Sequence, residues 1–342
     1  PIPRRQRQMC IRDSIYVESQ SIDSDIAEQS FKRFPKAKII EIEDYKKIFN
    51  KNGQDFQIQK LSTKLILAKK QPPFIYPATD IIQDSGFSNF YYCTPILNCI
   101  YNCEYCFLQG MYSSANIVVF TNTEEVKDAV KKQILERKYP DEPLLLSLSY
   151  NTDILALENI LPLTKQWIDF ANNTDDLFME IRTKSGLTSS FNKLKPSEKI
   201  LFAWTLSPNN VIQKYEHKTP LLERRIKSIQ KIVDSGWPVR LSFDPILIYP
   251  NWKEDYKQMF ERIKETINGD KIFDITIGVF RMSEDFFHRI KKTKPHSDLF
   301  YNNYDNSNNV KTVTKDQKAM VRDFALRQLD GYCSRDKINF WD

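Results

Sequence analysis

The chain has few histidines and no long apolar run, and both shortages exclude classes of function. Its 342 residues contain three histidines, His217, His288 and His296, which stand far from the cysteines. Without paired histidines or a second CxxC pair, the usual ligand pattern of a zinc site is missing. No stretch of about 18 apolar residues occurs, so a membrane-spanning helix is not expected. No repeat of roughly 20 to 50 residues is visible, which excludes solenoids and propellers.

A secretory signal is also missing, and this bears on the cysteines. The first residues lack the charged, apolar and small-residue order of a signal peptide. Six cysteines in 342 residues, without such a signal, do not suggest a disulfide framework. We therefore predict a cytoplasmic protein whose thiolates stay available for metal. The net charge of +6 is compatible with a polyanionic partner but does not identify one.

Three regions are predicted along the chain. Residues 1–14 (PIPRRQRQMCIRDS) differ from the rest of the chain and are interpreted as a non-native or disordered lead. Residues 15–89 have the helix and strand patterns of a small α/β layer. Residues 90–342 read as strands alternating with helices, and they end in a strong helix at residues 314–329.

Six candidate strands in the third region predict the fold. They cover residues 90–94, 144–149, 178–183, 201–206, 239–243 and 272–279. One of the helices between them, at residues 121–137, opens on a capping-box pattern formed by Thr121 and Glu124. Alternating strands and helices indicate a parallel sheet, so we predict an open six-stranded partial (β/α) barrel of the TIM type. Such barrels place their sites at the carboxyl ends of the strands.

The most informative motif follows the first of these strands. Cys99, Cys103 and Cys106 have the spacing CxxxCxxC, with an aromatic residue just before the last cysteine. Three thiolates on one short loop suit three irons of a [4Fe–4S] cluster and leave the fourth iron without a protein ligand. An open metal position is typical of catalysis, because a substrate or cosubstrate can coordinate there. Three unrelated cytosolic thiols are the simpler alternative.

Polar side chains follow the other candidate strands. They are Ser149, Tyr150, Thr152 and Asp153 after the second strand, Lys184 after the third, Thr205 and Ser207 after the fourth, Asp244 after the fifth and Arg281 after the sixth. Hydroxyls, carboxylates and cations at one barrel mouth suit a polar, zwitterionic cosubstrate. For each residue alone, satisfying the loop backbone is an equally good explanation.

The chain from about residue 15 to residue 341 resembles the spore photoproduct lyase family of the radical S-adenosylmethionine (SAM) superfamily. The cysteine loop is specific to the superfamily. An ordered series of further segments carries the family resemblance, namely residues 64–70, 120–122, 149–153, 183–184, 219–225, 236–238 and 244–246, then Trp252, Tyr256 and Arg281.

This resemblance implies a reaction. SAM chelates the open iron of a [4Fe–4S] cluster, and one electron cleaves it to a 5′-deoxyadenosyl radical. That radical initiates repair of a UV-induced thymine dimer in DNA, which makes the protein a carbon–carbon lyase. The implied partners are damaged DNA, whose lesion must leave the base stack, and an external electron donor such as flavodoxin or ferredoxin.

The resemblance also implies residue roles. Cys99, Cys103 and Cys106 would bind the cluster. Tyr105 and Tyr150 would be catalytic, SAM would contact Thr152, Asp153, Lys184, Thr205, Ser207 and Asp244, and the substrate would contact Arg225, Arg281 and Tyr304. We expect Lys184 to bind the SAM carboxylate and Thr152 or Asp153 to bind its amino group or ribose. A solvated helix face is an equally good explanation for Arg225.

Two departures from the family pattern leave alternatives open. Tyr150 stands where the family has a hydrogen-donating cysteine, and Phe107 stands where it has a relay tyrosine. Residues 300–311 (FYNNYDNSNNVK) are Asn-rich where the family has a basic hairpin, and a flexible surface loop is an equally good prediction. The alternatives are a radical SAM enzyme acting on another nucleobase, a small molecule or a peptide, and a nucleic-acid-binding protein without repair turnover.

Overall fold

The computed structural model describes residues 13–78, 86–191 and 194–341. Its helices are α1 (Asp25–Arg33), α2 (Lys46–Phe49), α3 (Phe56–Leu61), α4 (Leu108–Met111), α5 (Thr123–Leu135), α6 (Ile154–Leu157), α7 (Thr164–Asn172), α8 (Asn209–Tyr215), α9 (Leu222–Asp234), α10 (Trp252–Thr266), α11 (Glu284–Thr293) and α12 (Lys315–Leu329). None of these helices is both long enough and apolar enough to cross a membrane.

The strands form two large sheets, a two-stranded ladder and a three-stranded ladder. They are β1 (Ser14–Glu18), β2 (Lys38–Ile42), β3 (Leu65–Ala68), β4 (Ile75–Pro77), β5 (Asn89–Cys93), β6 (Ile96–Leu97), β7 (Asn102–Cys103), β8 (Ile117–Phe120), β9 (Leu144–Ser147), β10 (Leu177–Thr183), β11 (Ile200–Thr205), β12 (Glu216–His217), β13 (Val239–Ile246), β14 (Asp274–Val279), β15 (Arg281–Ser283), β16 (Asp305–Ser307), β17 (Val310–Thr312) and β18 (Ile338–Trp341). The predicted lead overlaps β1 at Ser14, and its first twelve residues lie outside the described ranges.

The larger sheet confirms the predicted open partial barrel. Its strand order is β18-β14-β13-β11-β10-β9-β5-β4, in which β5, β9, β10, β11, β13 and β14 are the six predicted strands in chain order. These six strands are parallel to one another. At the two edges, β18 pairs in parallel with β14, and β4 pairs antiparallel with β5. Within the described residues β18 and β4 remain separate edges, so the sheet is open.

Burial on both faces explains the apolar composition of the central strands. Every residue of β11 and of β14 is buried, because helices cover the outer face while the barrel interior covers the other. Helix α9 presents Ile226, Ile229 and Val233 to this core, and Gly236 follows its end with a φ of 86°. Glycine adopts that left-handed conformation without steric strain, so the helix stops there and the chain turns into β13.

A second sheet interleaves with the barrel along the chain. Its strand order is β2-β1-β3-β8-β6, with β1, β2, β3 and β8 parallel and β6 antiparallel to β8. Strands β6 and β8 come from beyond residue 89, and the cysteine loop lies between them in sequence. The boundary at residue 89 stays a prediction about domain organisation.

The capping-box prediction at Thr121 is wrong. Helix α5 begins at Thr123 with Asn122 as its N-cap, and no side chain caps it. The Thr121 hydroxyl lies 2.9 Å from Ser21 Oγ and is therefore engaged with the N-terminal sheet region. A capping box does form at α12, where the Thr314 side chain accepts from the backbone N–H of Gln317 and the Gln317 side chain accepts from that of Thr314.

The Asn-rich segment forms a hairpin, which corrects the flexible-loop alternative. Strands β16 and β17 pair antiparallel, and β17 also pairs with β15. Asn308 and Asn309 connect them with φ values of 50° and 61°. Two consecutive residues with positive φ make the tight turn that suits two-residue hairpins, and asparagine tolerates this conformation better than most residues.

Candidate active site

A cavity of about 360 Å³ lies at the carboxyl ends of the parallel strands. The cysteine loop and the ends of β9, β10, β11, β13 and β14 line it. The predicted site residues that meet there are Cys99, Cys103, Tyr105, Cys106, Tyr150, Thr152, Asp153, Lys184, Thr205, Asp244 and Arg281. The residues outside the cysteine loop converge because they lie at or just beyond the ends of strands of one parallel sheet, and these ends share an edge.

Backbone pairing holds the cysteine loop against the barrel. Strand β7 includes Cys103 and pairs antiparallel with β12, so that Cys103 lies opposite Glu216. The Glu104 N–H donates to the carbonyl of Tyr215 at 2.7 Å, which continues this attachment. The loop is therefore fixed from the side of β11 and α8, and its position does not depend on the cysteines alone.

Buried amides fix the two ends of the same loop. Asn98, in the left-handed region with a φ of 69°, donates from Nδ2 to the carbonyls of Ser114 at 2.7 Å and Asn116 at 2.8 Å. Gln109 donates from Nε2 to the Cys103 carbonyl, and its own Oε1 accepts from Gln57 at 2.9 Å. Each amide spans two segments, so the cysteine spacing is held rigidly before any ligand binds.

The three cysteine side chains are free thiols in a low-dielectric setting. Burial raises the pKa of Cys99 to about 12, and it also raises the pKa values of Cys103 and Cys106. A thiol with such a pKa is protonated and unreactive at neutral pH. Metal binding must therefore displace these protons before the three sulfurs can act as thiolate ligands.

Lys184 brings a positive charge to the cavity. Its Nζ lies 5.4 Å from the centroid of the Tyr105 ring, next to the cysteine loop. Burial works to lower the pKa of Lys184, but electrostatic interaction with Cys103 and with the Glu216 carboxylate outweighs it and raises the pKa overall. The ammonium form is therefore favoured where a carboxylate ligand would need it.

Asp153 lines the cavity, and its carboxylate oxygens also bind protein groups. Its Oδ1 accepts from the Ala156 N–H at 3.0 Å and from the Thr183 hydroxyl at 2.7 Å, and its Oδ2 accepts from the Lys184 N–H at 2.7 Å. The carboxylate thereby caps α6 and ties the end of β9 to the end of β10. Asp153 fixes the backbone from which the Lys184 side chain extends.

Several buried polar atoms at the cavity have no hydrogen-bond partner within the described residues. They are Ser149 Oγ, Thr152 Oγ1, Arg281 Nε and Ser283 Oγ. Buried polar atoms are paired in the great majority of folded proteins. A group of them around one cavity indicates a polar ligand as the missing partner. Ser283 was not among the predicted residues, because it lies in β15, beyond the strand series that guided the prediction.

Asp244 and Arg281 form an ion pair at the cavity wall. Arg281 Nη1 and Nη2 each donate to one Asp244 oxygen at 2.9 Å. Gly278 makes room for this pair, since a Cβ there would lie 2.5 Å from Asp244 Oδ1 and 2.9 Å from Arg281 Nη1. The space that this bidentate contact needs accounts for a glycine inside a buried strand.

Three predicted residues do not line the cavity, and two of them belong to a buried network around Glu216. Arg225 is 0% exposed and donates to Glu216, to the Thr205 carbonyl and to the Pro220 carbonyl. The Ser207 hydroxyl donates to Glu216 at 2.8 Å. Arg225 therefore does not lie on a solvated helix face. The contacts of Arg225 with substrate and of Ser207 with SAM stay predictions, and in this structure both side chains bind Glu216 inside the protein.

Glu216 is the residue that sequence reasoning missed. Besides Arg225 and Ser207, the Tyr105 hydroxyl donates to it. Burial alone would raise the pKa of Glu216, but the charges of Arg225 and Lys184 lower it to about 2. Glu216 thus stays ionised and joins the aromatic residue of the cysteine motif to the barrel. Its neighbour His217 and the short strand β12 gave no periodic signal that could have singled it out.

Tyr304 is the third predicted residue outside the cavity. Its hydroxyl donates to the Leu299 carbonyl at 2.9 Å, and its ring centroid lies 4.8 Å from that of Phe280. Phe280 lines the cavity. Tyr304 therefore packs against the cavity wall, and its contact with substrate stays a prediction.

An aromatic wall surrounds Tyr150. Its ring centroid lies 4.4 Å from that of Tyr92 and 5.3 Å from that of Phe107. Burial raises the pKa of Tyr150 to about 12, so the phenol keeps its proton at neutral pH. The cavity thus has a charged side, with Lys184 and Arg281, and an aromatic side on which Tyr150 carries a neutral O–H group.

Comparisons with known proteins identify the family. The family model for spore photoproduct lyase matches residues 11–322. The spore photoproduct lyase of Bacillus subtilis (strain 168) is 27% identical over 223 residues, which cover 65% of this chain and 62% of the relative. That of Clostridium acetobutylicum is 25% identical over 210 residues, covering 61% and 62%. The chain thus aligns with less than two thirds of the length of these relatives.

Solved structures give the same fold. A spore photoproduct lyase mutant with bound AdoMet and dinucleoside spore photoproduct matches with a TM-score of 0.79 and 18% identity, over 96% of this chain and 97% of that one. A spore photoproduct lyase complexed with dinucleoside spore photoproduct matches with a TM-score of 0.80 and 17% identity, over 97% and 99%. At this identity the likeness establishes the fold, and the family match over residues 11–322 establishes the lineage: the chain belongs to the spore photoproduct lyase family.

Proposed function

We propose that this protein is a radical SAM lyase that initiates repair of a UV-induced thymine dimer in DNA. One observation carries the proposal. A single cavity has the three-cysteine loop on one side and, facing it, Lys184 together with buried polar atoms that lack partners within the described residues. A zwitterionic cosubstrate bound beside a metal cluster would satisfy both sides at once.

Cys99, Cys103 and Cys106 would hold a [4Fe–4S] cluster. In the described part of the chain, no three His, Cys, Asp or Glu side chains converge on one point in the way that a single metal ion needs. A cube places each thiolate on a different iron, so the three sulfurs need not converge. When bound, the cluster and SAM together supply the one-electron cleavage to a 5′-deoxyadenosyl radical, with flavodoxin or ferredoxin as the proposed electron donor.

The chain's own residues would orient SAM. Lys184, kept as an ammonium, would bind the SAM carboxylate through a charge-assisted hydrogen bond. Thr152 Oγ1 and Ser149 Oγ, which have no hydrogen-bond partner among the described residues, would accept from its amino group or ribose. Asp153 would act indirectly, by fixing the backbone at Lys184.

The Lys184→Ala variant is expected to weaken SAM binding at least tenfold while leaving iron content unchanged. The reason is that Lys184 supplies charge to the cosubstrate and lies outside the cysteine loop. Equilibrium binding of SAM to the loaded protein, alongside an iron assay, measures both effects. Lys165→Ala is the control, since Lys165 pairs with Asp169 on an exposed helix face. Unchanged SAM affinity would remove this role from Lys184.

The aromatic side would hold the lesion, and Tyr150 would return a hydrogen atom to it. Two of the solved relatives are described with dinucleoside spore photoproduct, and we propose the same class of lesion here, a methylene-bridged pair of thymines. Tyr150 keeps its phenolic O–H beside Phe107, which has no exchangeable hydrogen. The hydrogen atom would leave the Tyr150 oxygen and form a C–H bond on the thymine radical, leaving a phenoxyl radical on Tyr150.

The Tyr150→Phe variant is expected to form repaired thymine in at least tenfold lower yield while still forming 5′-deoxyadenosine. Removing one oxygen leaves the ring packing intact but removes the hydrogen donor. Product analysis by liquid chromatography and mass spectrometry separates repaired thymine from aberrant adducts. Tyr91→Phe is the matched control, because Tyr91 lies on β5 with its hydroxyl bound to Gln133. If the yield of Tyr150→Phe equals that of the unsubstituted chain, another residue donates the hydrogen.

The proposed function is tested anaerobically. The reconstituted and reduced protein receives SAM and an oligonucleotide with the spore photoproduct, and 5′-deoxyadenosine and repaired thymine are followed together. Both products are expected. 5′-Deoxyadenosine without repaired thymine would instead support the alternative in which the substrate is another nucleobase, a small molecule or a peptide.

A further inference from the structure

Lys60 is a buried cation behind the cysteine loop. It lies on α3 and is 3% exposed. Its Nζ donates to the carbonyl of Cys99 and, at 2.8 Å, to that of Tyr101. The ammonium also lies 5.4 Å from the centroid of the Phe56 ring. Lys60 thus binds the backbone at the first cysteine of the loop and at the middle residue of the spacer between Cys99 and Cys103.

No protein carboxylate balances the charge of Lys60 within the described residues. The Lys60 ammonium has the two loop carbonyls as its hydrogen-bond acceptors, and neither of them carries a formal negative charge. A second cation, Lys218, donates from its Nζ to the Lys60 carbonyl. Burying an ammonium without a counter-ion is strongly unfavourable. Two carbonyl dipoles offset part of that cost but supply no negative charge.

The balance changes when the cysteines bind metal. Each thiol then becomes a thiolate, and the loop gains negative charge next to the Lys60 ammonium. A charge that is unfavourable in the metal-free chain therefore becomes favourable in the loaded one.

We propose that Lys60 is the buried counter-ion of the metal cluster, a positioning residue that holds the Cys99 and Tyr101 peptide groups and favours the one-electron-reduced cluster. The inference rests on the proposed function, because it requires the cluster to bind at Cys99, Cys103 and Cys106. Reduction adds one negative charge to the cluster, and a fixed positive charge nearby stabilises that state more than the oxidised one.

The test compares an uncharged with a charged replacement. Lys60→Gln keeps a hydrogen-bond donor for the loop carbonyls but removes the charge, whereas Lys60→Arg keeps the charge. The cluster's midpoint is measured by a redox titration followed by electron paramagnetic resonance, and iron is counted per chain. Lys60→Gln is expected to lower the ratio of reduced to oxidised cluster at least tenfold at fixed potential, about 59 mV for one electron. Lys60→Arg is expected to stay near the unsubstituted midpoint.

Lys70→Gln is the control for losing a buried lysine as such. Lys70 is 8% exposed, and its Nζ donates to the Tyr76 hydroxyl at 3.0 Å, away from the cysteine loop. We expect Lys70→Gln to leave the midpoint unchanged. Thermal unfolding of the metal-free chains adds a second measurement, since Lys60→Gln removes an uncompensated charge and should not lower metal-free stability.

Each outcome decides a separate claim. An unsubstituted chain that takes up no cluster overturns the proposed function and this inference together. A loaded Lys60→Gln chain with an unchanged midpoint overturns the inference alone and leaves the proposed function standing. If Lys60→Gln takes up no iron but Lys60→Arg does, the counter-ion role is supported. If neither takes up iron although both fold, the size of the side chain matters rather than its charge, and the inference fails.

Discussion

The Cys103→Ala variant should lose iron to background level and should lower SAM cleavage at least about 100-fold. Cys103 is buried at the centre of the motif and fixed by its pairing opposite Glu216. Its removal leaves two thiolates where three irons need ligands, and nearby side chains cannot replace it without rebuilding the loop. Iron and sulfide per chain, visible absorbance and 5′-deoxyadenosine formation measure the effect.

Cys333→Ala is the matched control for this prediction. Cys333 is a half-buried free cysteine near the C-terminus and far from the cysteine motif in sequence. It should retain full iron content, which would show that loss of any thiol does not by itself unload the cluster. An iron content of Cys103→Ala equal to that of the unsubstituted chain would contradict the assignment of the metal site.

The Glu216→Ala variant should lower the free energy of unfolding by about 3–5 kcal/mol, since it leaves the Arg225 charge buried without a partner. Both side chains of this ion pair are 0% exposed. The variant also removes the acceptor for Tyr105 and Ser207. Urea unfolding of the metal-free chain measures the change directly, because stability falls linearly with denaturant.

Two further variants make this result specific. Glu28→Ala removes an exposed partner of Lys32 and should change stability by less than about 0.5 kcal/mol. Adding Arg225→Met to Glu216→Ala should recover part of the loss, because the uncompensated charge is then gone. A loss in Glu216→Ala no larger than that in Glu28→Ala would rule out a buried charged pair at this position.

The sequence was sufficient to predict the parallel strands and most of the residues around the cavity. Thr152, Lys184 and Arg281 each follow a buried strand, and successive strands of the repeat lie side by side in the sheet. For such residues, the position in the sequence pattern also gives the position in the fold. The residues at the ends of the predicted strands are therefore the residues at the mouth of the barrel. The cysteine spacing predicted, in addition, that one loop binds a metal cluster.

Residues whose role depends on a distant partner were not predictable in this way. Arg224 and Arg225 are neighbours on α9, and only the position of Glu216 on β12 determines which arginine is buried. Helix α3 even reverses the usual pattern: Ile58 and Leu61 are 65% and 76% exposed, while Lys60 is buried. Hydrophobic periodicity predicts the opposite, because it does not include two loop carbonyls that bind a lysine.

The path of the chain between the two sheets limits how the protein can be divided. The chain leaves the barrel after β5, adds β6 to the N-terminal sheet, passes through the cysteines, adds β8 to that sheet and returns to the barrel at β9. Excising the N-terminal sheet as a separate unit would require cuts on both sides of the cysteines. A truncated barrel beginning after β8 would lack the whole motif, so neither sheet can be inherited or engineered as an independent catalytic module.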